Sequence, residues 1–151
     1  MVKVLFVCHG NICRSPMAEF ILKDMVKKLG IEKEFEIRSA ATSTEEIGNS
    51  LYPPAKAKLA EHGIPCAGKT AVQMTKADYD YYDYIIAMDR YNLHNMKKFV
   101  GNDEKKKVLL MLDYTDRSGD VADPWYSGDF ETTWNDIYKG CKGFLKSLIE
   151  K

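Results

Sequence analysis

The chain has 151 residues, and its 22 basic and 22 acidic side chains give a formal net charge of zero at pH 7. This balance excludes a general electrostatic attraction to nucleic acid or to an anionic membrane, so any anion site must be local. The length is that of one domain, and we predict a single domain over residues 1–151. No apolar run approaches the roughly 20 residues that cross a bilayer, and we expect a cytoplasmic protein whose cysteines remain thiols.

Short apolar runs of strand length alternate with helical patterns along the chain. The predicted strands are residues 2–8, 35–39, 84–88 and 107–112. The predicted helices run from Arg14 to near Gly30, over residues 53–61, after a capping box of Thr75 and Asp78, and over residues 90–99 and 129–149. This alternation is typical of βαβ units, and it predicts an α/β fold with a parallel sheet of four strands and about five helices.

The connection between the first strand and the first helix has an unusual composition. Such a connection collects backbone N–H groups and the positive end of a helix dipole, and these attract an anion such as phosphate. Neither of the common glycine-rich nucleotide loops occurs in the chain. Instead, Cys8 is followed after five residues by Arg14 and Ser15. The spacing predicts a loop that curls around one tetrahedral dianion, with the thiol at its floor.

The residue types in this loop fit that chemistry. Arg14 can fork two N–H bonds onto phosphate oxygens, which a lysine could not do. The positive surroundings favour the thiolate form of Cys8, and the Ser15 hydroxyl can donate to it. Gly10 and Asn11 tolerate the left-handed backbone angles of a tight cradle. Taken alone, the spacing of Cys8 and Arg14 also fits a buried small thiol followed by a surface cation.

A resemblance to a known family covers essentially the whole chain. The stretch VCHGNICRSPMAE resembles the signature of the low-molecular-weight protein tyrosine phosphatases, and DPWYSGDFETTWNDI, which begins at Asp123, resembles their second signature. The segments SAATS and YIIAMD extend the similarity. The resemblance implies a single-domain, three-layer α/β sandwich whose parallel sheet has the strand order 2-1-3-4.

The resemblance also implies a mechanism. Cys8 attacks phosphorus and forms a cysteinyl phosphate, Arg14 and the loop amides hold the oxygens, and Asp123 is first general acid and then general base. The phosphate-binding residues are His9, Gly10, Asn11, Ile12, Cys13, Arg14 and Ser15. No metal or other cofactor is required, because the loop and Arg14 supply the positive charge. The alternative for Asp123 is an ordinary Asp-Pro turn.

Other site residues follow from the same resemblance. Ile12, Trp125 and Tyr126 are candidate walls of a slot for a flat ring, although we expect one of the last two to lie in the core. Asn11, Ser15 and Ser39 are implied to support the loop through hydrogen bonds. The substrates would be phosphotyrosine-containing proteins or peptides, bound by a monomer or a weak dimer, with neither nucleic acid nor membrane as a partner.

Two departures from the family pattern concern the rim and the support of the loop. Where the family commonly carries an aromatic residue, this chain has Thr44, Glu45 and Glu46. We therefore expect Glu45 to contact substrate and acidic phosphopeptides to bind more weakly than basic ones. A histidine that supports the loop in some relatives is replaced near Gly68.

Cys13 is a second candidate for chemistry in the loop. In the family a cysteine at this position can form a reversible disulfide with the nucleophile Cys8. The alternative is a buried, inert thiol.

Three other activities remain as alternatives within or outside this family. Arginine phosphatases typically carry threonine where this chain has Ile12, which favours an aromatic leaving group. Arsenate reduction needs a further cysteine pair, and the chain has none between Cys66 and Cys141. A binding module without turnover would need neither the nucleophile Cys8 nor the proton donor Asp123.

Overall fold

The sheet is the centre of the molecule. A computed structural model of the protein describes residues 1–150, and its four strands are β1 (Val2–Cys8), β2 (Phe35–Ala41), β3 (Tyr84–Ala87) and β4 (Val108–Leu110). All three pairings are parallel, and the strand order is β2-β1-β3-β4. The predicted α/β fold and the order 2-1-3-4 are confirmed.

The helices number six among the described residues, one more than the sequence indicated. They are α1 (Arg14–Lys28), α2 (Pro53–Glu61), α3 (Lys76–Tyr81), α4 (Arg90–Val100), α5 (Pro124–Ser127) and α6 (Phe130–Ile149). The additional helix, α5, is a single turn inside a segment that the sequence indicated as irregular. Asp123 caps its first turn, and Gly128, in the left-handed conformation, ends it.

The boundaries of three strands differ from the prediction. β3 ends at Ala87, one residue earlier than predicted. β2 continues two residues beyond Ser39, because Ala40 and Ala41 still pair with the end of β1. β4 is shorter than predicted, since the chain turns into a 3₁₀ helix at Met111–Tyr114. Strand β1 therefore has its longest pairing with β2. This pairing reaches the carboxyl ends of both strands, where the site lies.

The continuous apolar run of β1 is explained by helices on both faces of the sheet. Val4 and Phe6 pack into a core with α1, α2 and α6, while Leu5 and Val7 pack into a second core with α3 and α4. Because successive side chains of a strand point to opposite faces, both sets must be apolar. The three-layer arrangement follows from this burial.

The loops that leave the carboxyl ends of the strands meet at one edge of the sheet. The loop after β2 is tied to the end of β1 by the hydrogen bond from the Thr42 N–H to the Cys8 carbonyl, of 3.0 Å. The loop after β4 is tied to the end of β3 by the bond from the Val121 N–H to the Met88 carbonyl, of 2.9 Å. In an open parallel sheet this edge is where ligands bind. Among residues 1–150, none of the helices is both long and apolar enough to cross a membrane.

Candidate active site

A pocket with a cavity volume of about 150 Å³ opens at this edge. It is lined by residues 8–14, Glu45, Glu46, Asp123, Trp125 and Tyr126. The pocket therefore brings together the loop after β1, the loop after β2 and the start of α5, which are far apart in the sequence.

The Cys8 sulfur lies at the floor of this pocket and is surrounded by hydrogen-bond partners. The Asn11 backbone N–H donates to it at 3.4 Å, and the Ser15 hydroxyl oxygen lies 2.9 Å away. Asn11 has φ of 60°, which confirms the predicted left-handed backbone there. The same prediction for Gly10 is wrong, because its φ is not positive. Asn11 alone turns the chain so that its N–H faces the sulfur.

Arg14, the first residue of α1, is buried beside the pocket with three partners. Its Nη1 donates to Asp89 Oδ2 at 2.6 Å and to the Val121 carbonyl at 2.9 Å, and its Nη2 lies 3.5 Å from Asp123 Oδ2. Burial opposes the charge of this guanidinium, but the charges of Cys8 and Asp89 outweigh it and raise the pKa of Arg14 above its ordinary value. The site therefore holds a permanent cation within reach of an anion bound at Cys8.

Asp123 both begins a turn and lines the pocket, so it fits both interpretations that the sequence left open. Its Oδ1 accepts the Trp125 N–H at 3.0 Å, so it begins the turn of α5. Its Oδ2 faces Arg14, and the side chain lines the pocket. The turn is what points this carboxyl group at the pocket.

The aromatic side chains of α5 lie on the rim. Trp125 is 53% exposed and Tyr126 is 85% exposed, so the expectation that one of them lies in the core is wrong. The reason is that α5 is a single turn at the pocket mouth and belongs to neither helical layer. Trp125 packs instead on Tyr52, with ring centroids 4.7 Å apart, and Tyr52 stacks in turn on Phe130. Tyr52 thereby holds Trp125 in place as a wall.

Acidic side chains form the opposite rim, as the sequence predicted. Glu45 Oε2 lies 2.9 Å from His9 Nε2, and both side chains are well exposed. Glu46 accepts a hydrogen bond of 2.6 Å from the Asn49 side chain, and its own side chain lies over Gly10. Glu45 and Glu46 therefore line the same pocket as Trp125 and Tyr126.

A chain of hydrogen bonds behind the loop confirms that Asn11, Ser15 and Ser39 are linked. The Val72 N–H donates to Asn11 Oδ1 at 3.1 Å, so the other end of this amide must be the NH₂ group. That NH₂ group donates to Ser39 at 2.9 Å and to Ser15 at 2.8 Å. Both amide protons of Asn11 are therefore committed.

The hydroxyl proton of Ser39 is directed by a buried carboxylate. Ser39 donates its only proton to Glu19 Oε1 at 2.5 Å, because an ionised carboxylate can only accept. Ser15 already accepts from Asn11, so its own proton is free to point at the Cys8 sulfur. The geometry thus supplies a hydrogen bond that favours the thiolate.

Two lysines neutralise Glu19. Lys23 Nζ lies 2.5 Å from its Oε2, and Lys69 Nζ lies 3.7 Å from its Oε1. Lys69 also donates to the Ser39 carbonyl at 2.9 Å. Lys69 follows Gly68 directly, so it lies at the place where the sequence indicated the loss of a supporting histidine.

Known proteins share both this sequence and this fold. The model of a family described as low molecular weight phosphotyrosine protein phosphatase matches residues 3–151. A low molecular weight protein-tyrosine-phosphatase of Bacillus subtilis, YfkJ, is 40% identical over 150 residues, which are 98% of this chain and 96% of that protein. This chain belongs to the low-molecular-weight protein tyrosine phosphatase family.

Solved structures of the family agree with this assignment. The crystal structure of YfkJ superposes with a TM-score of 0.95 at 39% identity, covering 99% of this chain and 96% of that one. The crystal structure of DARP, a drosophila arginine phosphatase, superposes with a TM-score of 0.88 at 30% identity, covering 97% of this chain and 98% of that one. A cysteine-based mechanism is general for this family of hydrolases.

Four residues at or behind the site were not selected from the sequence. Asp89 binds Arg14, Tyr52 supports Trp125, and Glu19 and Lys69 close the hydrogen-bond chain behind the loop. A signal existed for Asp89, which directly follows a predicted strand, and for Glu19, which ends the stretch that resembles the first family signature. Nothing local in the sequence marks Tyr52 or Lys69, because their partners lie in distant segments.

Cys13 lies in the same loop as Cys8 and is buried. Burial is the main reason that its pKa is raised to about 12, and the charge of Cys8 adds to this effect. Cys13 is therefore a thiol at neutral pH. Residues 1–150 hold no group of three or more histidine, cysteine or acidic side chains able to bind a metal ion.

The pairing of Asp89 with Arg14 generates a prediction. In the Asp89→Asn variant the remaining carbonyl can still accept the Asn92 N–H and cap α4, but the charged partner of Arg14 is lost. A small displacement of Arg14 should lower kcat/KM for an aryl phosphate by about 10- to 100-fold. Steady-state rates measure this effect, with Asp120→Asn, which removes an exposed partner of Arg90, as the control. A rate for Asp89→Asn within about twofold of the control would contradict this role.

Proposed function

We propose that this protein hydrolyses phosphotyrosine in proteins or peptides, with Cys8 as nucleophile, Arg14 and the loop amides as phosphate ligands, and Asp123 as general acid and base. One observation carries the proposal. A single pocket holds Cys8, the buried guanidinium of Arg14 and the carboxyl group of Asp123 under an aromatic rim, and the Ser15 hydroxyl lies 2.9 Å from the Cys8 sulfur.

Each step uses a group already in position. The Cys8 thiolate attacks phosphorus in line, the bond to the phenolic oxygen breaks, and Asp123 gives that oxygen a proton. The amides of the loop and Arg14 hold the remaining phosphoryl oxygens. In the second step ionised Asp123 takes a proton from the water that attacks the cysteinyl phosphate, and Cys8 leaves as a thiolate. The Ser15 hydroxyl, 2.9 Å from the sulfur, stabilises that leaving group.

Ring binding is assigned to the pocket mouth. Ile12, Trp125 and Tyr126 line it, and Trp125 is supported by Tyr52. A phosphotyrosine ring could stack there while its phosphate reaches the loop amides of residues 9–15. The same reasoning assigns no metal or cofactor to the reaction, because Arg14 and the loop provide the positive charge.

The role of Asp123 is open to a direct test. Asp123→Asn keeps a carbonyl that can cap α5 but removes the transferable proton. We expect kcat for a phosphotyrosyl peptide to fall by about 10²- to 10⁴-fold, and by less for a substrate whose leaving group is more acidic. The matched control is Asp129→Asn, which changes the cap of α6 outside the pocket. Unchanged turnover in Asp123→Asn would remove this residue from the mechanism.

The acidic rim generates a prediction about peptide preference. Glu45 and Glu46 stand at the pocket mouth, so a basic residue beside the phosphotyrosine should be favoured over an acidic one. Exposed charge pairs of this kind are worth up to about 1 kcal/mol, which corresponds to about 2- to 5-fold in kcat/KM. Matched peptides that differ only in this charge measure the preference, and Glu45→Gln should reduce it. Equal efficiency on the two peptides would contradict the prediction.

Cys13 is assigned to protection of the nucleophile. Peroxide would convert the Cys8 thiolate to a sulfenic acid, whose hydroxyl leaves as water when the Cys13 sulfur attacks. Burial, the main cause of the raised pKa of Cys13, remains after oxidation, while the smaller contribution of the Cys8 charge is lost. After a peroxide pulse, a dithiol should restore most activity in the wild type and far less in Cys13→Ser. Equal recovery in both, with no Cys8–Cys13 link by mass spectrometry, would exclude the role.

Arginine phosphatase activity is the second candidate. It is supported by the likeness to the drosophila protein with that name, and it is opposed by the isoleucine at position 12 in the pocket. Arsenate reduction and binding without turnover have no feature of the site in their favour. The monomeric state and the cytoplasmic location stay predictions.

A further inference from the structure

Lys69 is a partly buried cation that packs against β2 and α1. Its side chain is only 12% exposed, and it does not contribute to the pocket wall. Its ammonium group donates to the Ser39 carbonyl at 2.9 Å and lies 3.7 Å from Glu19 Oε1. A lysine is rarely enclosed in this way unless its charge is paired, so its position needs an explanation.

The charges around Lys69 come from three elements. Burial lowers the pKa of its ammonium group below the ordinary value, and Lys23 and Arg38 act in the same direction. Glu19 on α1 and Cys8 at the end of β1 act in the opposite direction and favour the charged form. The charges of Lys69 and Cys8 therefore attract each other, and hydrogen bonds connect the two residues. Lys69 donates to the Ser39 carbonyl, the Ser39 hydroxyl accepts from Asn11, and the Asn11 backbone N–H donates to the Cys8 sulfur.

Such an interaction is reciprocal. If the thiolate favours the ammonium form of Lys69, the ammonium form favours the thiolate by the same free energy. We propose that Lys69 is a positioning residue that raises the thiolate fraction of Cys8, both by its buried charge and by holding Glu19 and Ser39 at the head of the hydrogen-bond chain. This inference rests on the proposed role of Cys8 as the nucleophile.

Loss of the Lys69 charge would disfavour the Cys8 thiolate in two ways. It would remove a cation that attracts the thiolate, and it would leave the buried Glu19 carboxylate, which repels the thiolate, with a single counterion. That counterion, Lys23, is 36% exposed on α1, so water and salt screen its field. Lys23 and Lys69 both pair with Glu19 but differ in burial, so a substitution of Lys23 is a matched control for a substitution of Lys69.

Alkylation of Cys8 by iodoacetamide measures the thiolate without requiring turnover. The rate would be followed against pH in the full-length protein by mass spectrometry of the Cys8 peptide. In Lys69→Met we expect the midpoint to move upward by about 0.5 to 1 pH unit, which makes alkylation about 3- to 10-fold slower on the acidic side. Lys23→Met should change the alkylation rate by less than about twofold.

Two further variants separate charge from packing. Lys69→Arg keeps the charge and should stay close to the wild type, while Lys69→Gln keeps a hydrogen-bond donor and should follow Lys69→Met. Lys69→Gln also supplies the measurement if Lys69→Met does not fold, as judged by circular dichroism. The proposal is overturned if the folded uncharged variants alkylate like the wild type, if Lys23→Met shows an equal shift, or if Lys69→Arg behaves like the uncharged variants.

The alkylation measurement separates this inference from the proposed function. The acidic limb of kcat/KM should move with the alkylation midpoint in the Lys69 variants. If the wild type showed no phosphatase activity while its alkylation still depended on Lys69, the proposed function would fail and the inference about the thiol would stand. If the wild type were a phosphatase whose alkylation midpoint did not depend on Lys69, the proposed function would stand and the inference would fail.

Discussion

The hydrogen bond between Ser15 and the Cys8 sulfur, 2.9 Å long, is the interaction on which the rest of the site depends. It favours a thiolate when the serine donates, and the bond from the Asn11 NH₂ group to the serine oxygen leaves the hydroxyl proton available for the sulfur. The orientation of Asn11 is in turn fixed by a backbone N–H of Val72, 61 residues further along the chain. The fold therefore connects one sulfur to a distant backbone amide through a line of hydrogen bonds.

The α/β architecture explains why these groups meet. Parallel strands place all their carboxyl ends at one edge, so loops from distant parts of the sequence converge there. The loop after β1 supplies the thiol and the amides, and the end of β3 supplies Asp89 for Arg14. The loop after β4 supplies the Val121 carbonyl and Asp123. Burial of Arg14 among these oxygens keeps a cation at the site, so an anion can bind in a protein of zero net charge.

The parts of the site that could be predicted from the sequence are those whose chemistry is local. Cys8, Arg14 and Ser15 lie where a strand passes into a helix, and their spacing in that context suggested a cradle for a dianion. The strands and the longer helices were predicted because burial on one or both faces leaves a pattern of apolar residues in the sequence. The single turn of α5 is too short to leave one, although Asp123 before a proline and Gly128 after it mark its ends.

The remaining parts depend on contacts between distant segments. One of Trp125 and Tyr126 was expected in the core, yet the position of both at a pocket mouth and the packing of Trp125 on Tyr52 are properties of the tertiary structure. Gly10 was expected to be left-handed, but only Asn11 has to turn the chain. Lys69 gave no signal, because an isolated lysine in a sequence is typical of an exposed loop. Its burial against Ser39 and Glu19 could be seen only in three dimensions.

Phosphate release from a phosphotyrosyl peptide, in the presence of a chelator, tests the central claim most directly. Phosphoarginine would be assayed in parallel, and Cys8→Ser would serve as the control, since it keeps the loop but removes the nucleophile. We predict release from the tyrosyl peptide that persists with the chelator and disappears in Cys8→Ser. Release that survives in Cys8→Ser, or cleavage of phosphoarginine alone, would contradict the assignment of this site to phosphotyrosine hydrolysis by Cys8.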